Sequence, residues 1–481
     1  MPSTHLFEAM NESYIIRENP AFPSQIVGQV KAAHVAEIDQ VVVTANESQD
    51  AWERETISMR CRHLIAALDA LTAAECEHIA TTLCLELGKP IAACRSELGA
   101  AIRVIRHFTE IAPELLRCRE FDDERGRVLI NKIPFGVIGA IIPWNAPLFV
   151  ASLKLAPALL AGNTFVLKAS PLAPLAVSLL IDCLCSQLPN GVLQLVQGNA
   201  STGKALVQHR LIRKLSFTGG AAVAREIQAV SSNLVRPFVM ELGGNDAALL
   251  LEDADFSETD YEQLVHASFS ASGQSCIGCK RIYVPRKKLN NFVDDFCRVS
   301  DRVLRLGDPL QPDVSVGPVV SREAQQRLER LTSMITAHSE VKLMRVGQIS
   351  DPDIISNGYY VHPSVVVGLS PQSPLVCDEQ FGPLIPILPY DSLEEAIAAV
   401  NSTDFGLGGS VWSSDVNHAF AIASRFKSGV VFVNSHGRLG QMPHAPFGGL
   451  KESGYGRESG DAGLLEYVQD QSVFLPSSAK R

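Results

Sequence analysis

No secretory leader, lipidation signal, internal repeat or low-complexity tract stands out in this 481-residue sequence. Each absence removes a class. The opening MPSTHLFEAMNESYIIRENP has neither a basic segment nor an apolar core that would direct secretion, and the closing SSAKR matches no lipid-attachment pattern, so a cytoplasmic location is expected. Basic residues are the minority. The 42 Lys and Arg face 52 Asp and Glu, a formal charge of −10 that repels phosphate backbones and anionic bilayers, so neither nucleic acid nor membrane is an expected partner. Eleven cysteines, odd in number and scattered, form no disulfide framework and read as reduced thiols. An uncharged run from Ile133 to Leu153 is long enough to cross a bilayer, but Pro134, Pro143, Asn145 and Pro147 interrupt it. It reads as a buried strand followed by a buried helix.

What is present is ordinary globular material. Hydrophobic residues make up 46% and charged residues 20%, enough apolar surface for a large core. At roughly 100 to 200 residues per domain, the length predicts two or three domains. The first ~30 residues read as an extended arm. From about Asp50 to Leu116 the periodicity is helical, with a capping box at Thr72-Ala-Ala-Glu75 and a stop at Gly88-Lys89-Pro90. From Val137 short β-rich runs alternate with helical ones through PFVMEL, which predicts right-handed crossovers and a parallel, doubly wound sheet of nucleotide-binding type. After Asn245 a second α/β run begins with DAALLL and carries RIYVP and GVVFVN. Segments 121–132 and 468–475 are strand-like and suited to pair with each other or across subunits.

Several residue groups carry potential chemistry. Gly198–Gly203 and Phe217–Gly220 each follow a strand and precede a helix, so their backbone amides suit either a phosphate or a tight turn. Cys276 lies among small residues in Phe269–Cys276, as an exposed nucleophile or an inert thiol. Cys276 and Cys279 form a CxxC, which suits a redox pair or half a zinc site; no second CxxC or spaced His pair completes one, and no metal is expected. Glu241 ends an apolar strand, where it is either a desolvated base or a cap. Asn145, between two prolines, is a turn former or an oxyanion donor.

Read together, these groups lose their independence. PWNAP at 143–147, GNTFVLK at 162–168, FTGG at 217–220, ELGGN at 241–245, FSASGQSC at 269–276, EQFGP at 379–383, NSTDFGL at 401–407 and PFGGLKESGYGRE at 446–458 occur in order. The sequence strongly resembles the aldehyde dehydrogenase superfamily over nearly its whole length. The resemblance implies an α/β fold with a Rossmann-type cofactor domain of residues 1–113 and 135–243, a catalytic domain of 244–461, and a β oligomerisation element from 114–134 and 462–481. A homodimer or homotetramer is implied as well.

The same resemblance implies NAD(P)-dependent oxidation of a small-molecule aldehyde to its acid through a cysteine adduct and a thioester. Cys276 matches the nucleophile, Asn145 the oxyanion donor and Glu241 the base for hydrolysis, with Lys154 and Glu458 as an associated proton-transfer pair. Lys168 matches the adenosine-ribose lysine, Glu379 the nicotinamide-ribose carboxylate and Phe381 a residue beside the nicotinamide. Ile141, Pro143, Trp144, Phe217, Gly219, Gly220, Val223 and Leu242 match positions along the cofactor cleft. Three departures stand out. GSTxxG is replaced by Gly219–Ala224 without its serine or last glycine, Ala200 replaces a glycine, and Pro171 replaces a glutamate typical of NAD-preferring members, leaving NADP open.

For the substrate tunnel the matching positions are Ala146, Val150, Leu153, His266, Ser270 and Ser275, with Ile277, Leu439, Gln441 and Phe447. Smaller side chains at Ala146, Leu153 and Ser270 than the aromatic ones many members carry predict room for a medium or bulky apolar or aromatic aldehyde, and the lack of Arg or Lys argues against a carboxylate-bearing one. The ELGGNDAALLLEDAD and SCIGCKRIYVP segments resemble microbial and fungal members, which implies a specialised-metabolite aldehyde. The alternatives are a CoA-acylating enzyme, disfavoured by Glu241, and a non-catalytic binding protein, disfavoured by the intact Cys276, Asn145 and Glu379. Substitution Cys279→Ser separates the dehydrogenase reading, which expects aldehyde-dependent NAD(P)H formation to persist, from a Cys276–Cys279 redox pair, which expects its loss.

Overall fold

The computed structural model describes residues 14–437 and 442–477. In place of a simple arm, β1 (Tyr14–Asn19) and β2 (Phe22–Lys31) form an antiparallel hairpin. It is tied down where the Arg17 guanidinium donates to the Glu86 carbonyl at 2.9 Å. Four helices follow: α1 (Val35–Arg54), α2 (Ile57–Asp69), α3 (Ala73–Leu87) and α4 (Ile91–Leu115). At the start of α3 the Glu75 amide donates to the Thr72 hydroxyl at 3.2 Å and the Thr72 amide to the Glu75 carboxylate at 2.8 Å, so both orphan donors are satisfied. Gly88, at φ +71°, ends that helix in the left-handed conformation a side chain disfavours.

The chain then runs through β3 (Arg119–Asp123) and β4 (Gly126–Pro134) into the first large sheet. Its parallel strands are β5 (Val137–Ile141), β6 (Thr164–Lys168), β7 (Leu193–Val196), β8 (Ile212–Thr218) and β9 (Phe238–Glu241). The crossovers are α5 (Pro147–Leu160), α6 (Pro174–Cys185), α7 (Ala200–Gln208) and α8 (Ala221–Ser231). Strand order β9-β8-β5-β6-β7 shows why a crevice opens at the carboxyl ends. From β5 the chain winds outward one way through β6 and β7, then returns to wind the other way through β8 and β9, so the loops after β5 and β8 diverge.

The second large sheet holds β10 (Ala247–Leu250) and β11 (Arg281–Pro285), joined through α9 (Glu258–Phe269). Beyond β11, the short strands β12 (Arg305–Leu306) and β14 (Gln348–Ile349) pair apart from it. Its remaining members are β13 (Lys342–Arg345), β15 (Ser364–Val367), β16 (Leu384–Tyr390), β17 (Gly408–Trp412) and β18 (Val430–Val433). They lie in the order β13-β15-β16-β11-β10-β17-β18, parallel except where β13 meets β15. The short β19 (Gly454–Tyr455) returns to pair antiparallel with β9 of the first sheet. Finally β20 (Val468–Pro476) pairs with β4 from Val468 opposite Pro134 to Pro476 opposite Gly126, so the two strand-like segments do pair with each other. Phe121, Val473, Phe474 and Leu475 of this three-stranded sheet are exposed. Among the described residues no helix is long and apolar enough to cross a membrane; the run at 133–153 is split between β4, β5 and α5.

One buried side chain stitches these parts together. Asn163 accepts from the amides of Phe135 (2.7 Å) and Gly136 (3.1 Å), and donates to the carbonyls of Ala158 (3.0 Å) and Tyr467 (2.9 Å). It thereby joins the β4–β5 corner, the end of α5 and the approach to β20. Removing it strands buried polar groups at about 1–3 kcal/mol each. Substitution Asn163→Ala is expected to lower stability by roughly 3 kcal/mol or more, read as a fall in the denaturant midpoint; an unchanged midpoint rejects this role.

Candidate active site

The carboxyl edge of the first sheet faces the loop between α9 and β11 across a cavity of about 490 Å³. That loop is backbone-strained. Ala271 (φ +50°), Ser272 (φ +57°) and Gly273 (φ +71°) stand consecutively in the left-handed region, at roughly 1–3 kcal/mol for each residue bearing a side chain. Side-chain bonds hold the turn. The Ser272 hydroxyl donates to the Gly317 carbonyl at 2.7 Å, while the Gln274 side chain donates to the Ala271 carbonyl and accepts from the Val320 amide, each at 3.0 Å. Three residues further on, Cys276 lines the cavity, half-buried. Asn145 lines it from the loop after β5, and its carboxamide donates to the Gln274 carbonyl at 3.1 Å, joining that loop to the turn.

Glu241 enters the same cavity from the end of β9. It is 2% exposed, and neither carboxylate oxygen has a hydrogen-bond partner. Burial pushes its pKa well above the usual carboxylate range; the charge of Glu458 adds to this, and Lys154 and Arg457 oppose it. Glu458 also lines the cavity, whereas Lys154 lies behind it, fully buried on α5, paired with Glu458 at 2.5 Å and donating to the Ser216 hydroxyl at 2.9 Å. The Tyr467 hydroxyl reaches the same Ser216 oxygen at 3.3 Å.

Towards the opening, Pro143, Trp144, Gly219, Gly220, Leu242, Glu379 and Phe381 share the wall. Trp144 and Phe381 meet edge to face, centroids 5.6 Å apart. The Glu379 carboxylate accepts from the Gly244 amide at 3.1 Å, and a Cβ on Gly243 would stand 2.3 Å from its other oxygen, so the carboxylate position requires glycine there. Gly220 caps the start of α8 with open space beside it. The other expected cofactor positions lie on the same edge outside the cavity wall. Ile141 ends β5, Phe217 packs its ring over Gly219, and Val223 is exposed on the first turn of α8. Lys168 ends β6 buried, its ammonium donating to the Ala169 carbonyl at 2.9 Å, and burial lowers its pKa to about 8.

All of the expected tunnel residues that are described, namely Ala146, Val150, Leu153, His266, Ser270, Ser275, Ile277 and Phe447, face the one cavity. Leu439 and Gln441 lie outside the described residues. Sequence reasoning missed Lys89, Ser96, Glu97, Phe149, Gln274 and His436 on the wall. The tunnel therefore does hold a lysine. Lys89 is ion-paired with Glu97, whose carboxylate also accepts from the Leu148 and Phe149 amides (3.0 and 3.4 Å) at the N-terminus of α5. A glutamate on the buried stripe of α4 was the available signal. His436 is buried, its Nδ1 2.7 Å from the Ser410 hydroxyl, and burial lowers its pKa to about 3, so it stays neutral. Cys279 is buried too, its thiol pushed up to about 12 by burial.

Three comparisons bear on this geometry. A model of the aldehyde dehydrogenase family matches residues 7–473. The geranial dehydrogenase of Castellaniella defragrans is 33% identical over 95% of this chain and 94% of its own. Among solved structures, a Mycobacterium tuberculosis aldehyde dehydrogenase complexed with NAD+ superposes at TM-score 0.90, with 32% identity, covering 97% of this chain and 95% of that one. Aldehyde dehydrogenase C of Pseudomonas syringae, complexed with NAD+ and octanal, gives TM-score 0.87 and 29% identity over 96% and 94% of the two chains.

The unpartnered Glu241 carboxyl has a thermodynamic consequence. Its pKa is raised in the folded state, so the native protein holds that proton to higher pH than the unfolded chain, and stability falls as pH climbs from about 4.3 toward the raised value. Substitution Glu241→Gln removes the dependence. Denaturant unfolding across pH is expected to show the variant matching wild type in acid and exceeding it increasingly toward alkaline pH; a constant difference rejects the raised pKa.

Proposed function

The chain belongs to the aldehyde dehydrogenase family and is an NAD(P)-dependent aldehyde dehydrogenase, and from that premise we propose a hydrolytic reaction in which Cys276, Asn145 and Glu241 carry the covalent steps. The observation that supports it most is the convergence of these three side chains, from three separate segments, on one cavity. The Cys276 thiolate adds to the aldehyde carbon, forming the C–S bond as the carbonyl π pair moves to oxygen. One Asn145 N–H donates to the Gln274 carbonyl; its second N–H and the Cys276 amide hold the oxyanion. The nicotinamide group, when bound, supplies the acceptor for the hydride that leaves the substrate carbon. Glu241, in its ionised form, then takes a proton from the water that attacks the thioester carbon, and the C–S bond breaks to release the acid and return the Cys276 thiolate. The burial that raises the Glu241 pKa makes its carboxylate a stronger base. The Lys154–Glu458 pair with Ser216 provides the exit for that proton.

The residues fit a nicotinamide nucleotide. Gly243 leaves the space that Glu379 fills, Gly220 opens the N-terminus of α8, whose first turn carries no acidic residue, and Lys168 is a buried cation with only a backbone partner in its hydrogen bonding. Lys168 and Glu379 would hold the two riboses and α8 the pyrophosphate. Pro171 presents no carboxylate to repel a 2′-phosphate, so nothing at this position excludes NADP in favour of NAD. Among the described residues, sheet membership and the shared core of the early helices with the first sheet support the division into a cofactor unit (1–113 and 135–243), a catalytic unit (244–461) and an assembly element (114–134 and 462–481), with β19 crossing to the first sheet. The exposed apolar residues of the β20-β4-β3 sheet and its open edge support assembly into a homodimer or homotetramer.

For the substrate, Phe149, Val150, Leu153, Ile277 and Phe447 make the inner wall apolar, and Ala146 with Ser270 leaves it wide. Lys89 is already neutralised by Glu97. A medium or bulky apolar or aromatic aldehyde is the class that fits, in keeping with the geranial-oxidising relative.

Following NAD(P)H absorbance tests the whole reading. Turnover is expected without CoA, with kcat/KM for geranial, decanal or benzaldehyde at least about tenfold above that for succinic semialdehyde. Substitution Cys276→Ala is expected to abolish turnover while leaving cofactor binding intact. Glu241→Gln is expected to keep a single stoichiometric burst and lose about 10²–10⁴ in steady-state rate. A fully active Cys276→Ala rejects the mechanism, and a preference for the semialdehyde rejects the substrate class.

A further inference from the structure

Lys280 follows the nucleophile loop and lies outside every motif given a role above. It is 2% exposed. Its ammonium donates to the carbonyl of Ser275 and, at 3.1 Å, to that of Cys276. It also stands 3.6 Å from the Glu379 carboxylate and over the Phe381 ring, 5.7 Å from the centroid. Its backbone is fixed as well, because its amide donates to the Asp246 carbonyl at 2.9 Å and its carbonyl accepts from the Gln380 side chain at 3.2 Å. An ammonium has three donors and no acceptor, and here three oxygens surround it. Desolvating such a charge is unfavourable unless partners offset it. These partners belong to the two halves of the chemistry: the loop that carries Cys276 and the carboxylate that faces the cofactor ribose.

We propose that Lys280 is a positioning residue, whose ammonium ties the backbone of the nucleophile loop to the Glu379 carboxylate so that thiol and cofactor stand in fixed register. The inference rests on the roles proposed for Cys276 and Glu379. A neutral linker would bridge the carbonyls, but only a cation satisfies both carbonyls and a carboxylate from one atom. The charge has a second effect, favouring the Cys276 thiolate. The other ionisable groups around it are Glu379, the buried Asp246, Arg281 behind Asp246, and the neutral His436.

The test uses the full-length enzyme with Lys280→Met and Lys280→Arg, folding being checked by circular dichroism. Lys280→Gln, which retains a donor for the carbonyls, replaces the Met variant if that does not fold. Alkylation of Cys276 by iodoacetamide, followed by mass spectrometry of its peptide without cofactor, is expected to shift its pH midpoint up by about one unit in Lys280→Met. NAD+ binding, by fluorescence titration, is expected to weaken about tenfold while the aldehyde KM moves less than threefold; Lys280→Arg recovers part of both. A folded Lys280→Met with wild-type alkylation midpoint and NAD+ affinity overturns the inference even if its kcat has fallen. An active Cys276→Ala would instead overturn the proposed function, and this inference with it.

Discussion

The left-handed turn at Ala271–Gly273 is the constraint on which the site depends. Two residues with side chains are held at positive φ between α9 and Cys276, which ordinary loop geometry would relax. They stay because the turn is over-determined: Ser272 bonds to the segment at Gly317, Gln274 spans from Ala271 to Val320, and Asn145 bonds the Gln274 carbonyl from the other sheet. Those bonds come from chain segments far apart in sequence, so the loop keeps its shape only while both sheets are in place. A thiol held this way needs little reorganisation to meet a carbonyl carbon, which is the form in which positioning lowers a barrier.

Charge is distributed around that turn in two different ways. Lys89–Glu97 and Lys154–Glu458 are buried pairs in which each partner offsets the other's desolvation, and further bonds to the α5 amides or Ser216 take up remaining capacity. Glu241 has no such partner for its oxygens. At neutral pH an isolated buried carboxylate is unfavourable, so the group resists ionisation, and the neighbouring Glu458 increases that resistance. A fully paired carboxylate would be a poor base, because its proton affinity would already be spent on the cation. The contrast is between glutamates that a lysine holds and one that burial keeps from ionising.

Much of this was legible in the sequence, for reasons that differ by residue. The succession of β5 to β9 and their parallel pairing follow from apolar runs separated by helical spacing, and the capping box at Thr72 marks α3 because those donors must be satisfied locally. The pairing of β4 with β20 was one of two options the pattern left, since an alternating strand reveals its faces and not its neighbour. Cys276, Asn145 and Glu241 were singled out together through motif order, and the structure brings them to one cavity. Lys89, Glu97 and His436 were not singled out. Their places come from helices and loops that only the tertiary fold brings to the cavity, and a lysine or glutamate in a helical pattern ordinarily belongs to a solvated face.

The passage from β9 to β10 shows how one short segment serves both sheets. Glu241 ends a strand of the first and Asp246 immediately precedes a strand of the second, so four residues, Leu242 to Asn245, make the crossing. Gly243 must be bare to admit the Glu379 carboxylate, and Gly244 must be bare because a Cβ there would stand 2.7 Å from the Cys276 carbonyl. The Gly244 amide in turn holds Glu379, and Lys280 meets that carboxylate from the Cys276 side. The Glu379 carboxylate and the Cys276 loop are therefore packed against a single glycine pair, two residues beyond Glu241. Displacing either moves backbone or carboxylate atoms that the other meets through the glycine pair or Lys280, which ties motifs far apart in sequence into one cavity wall.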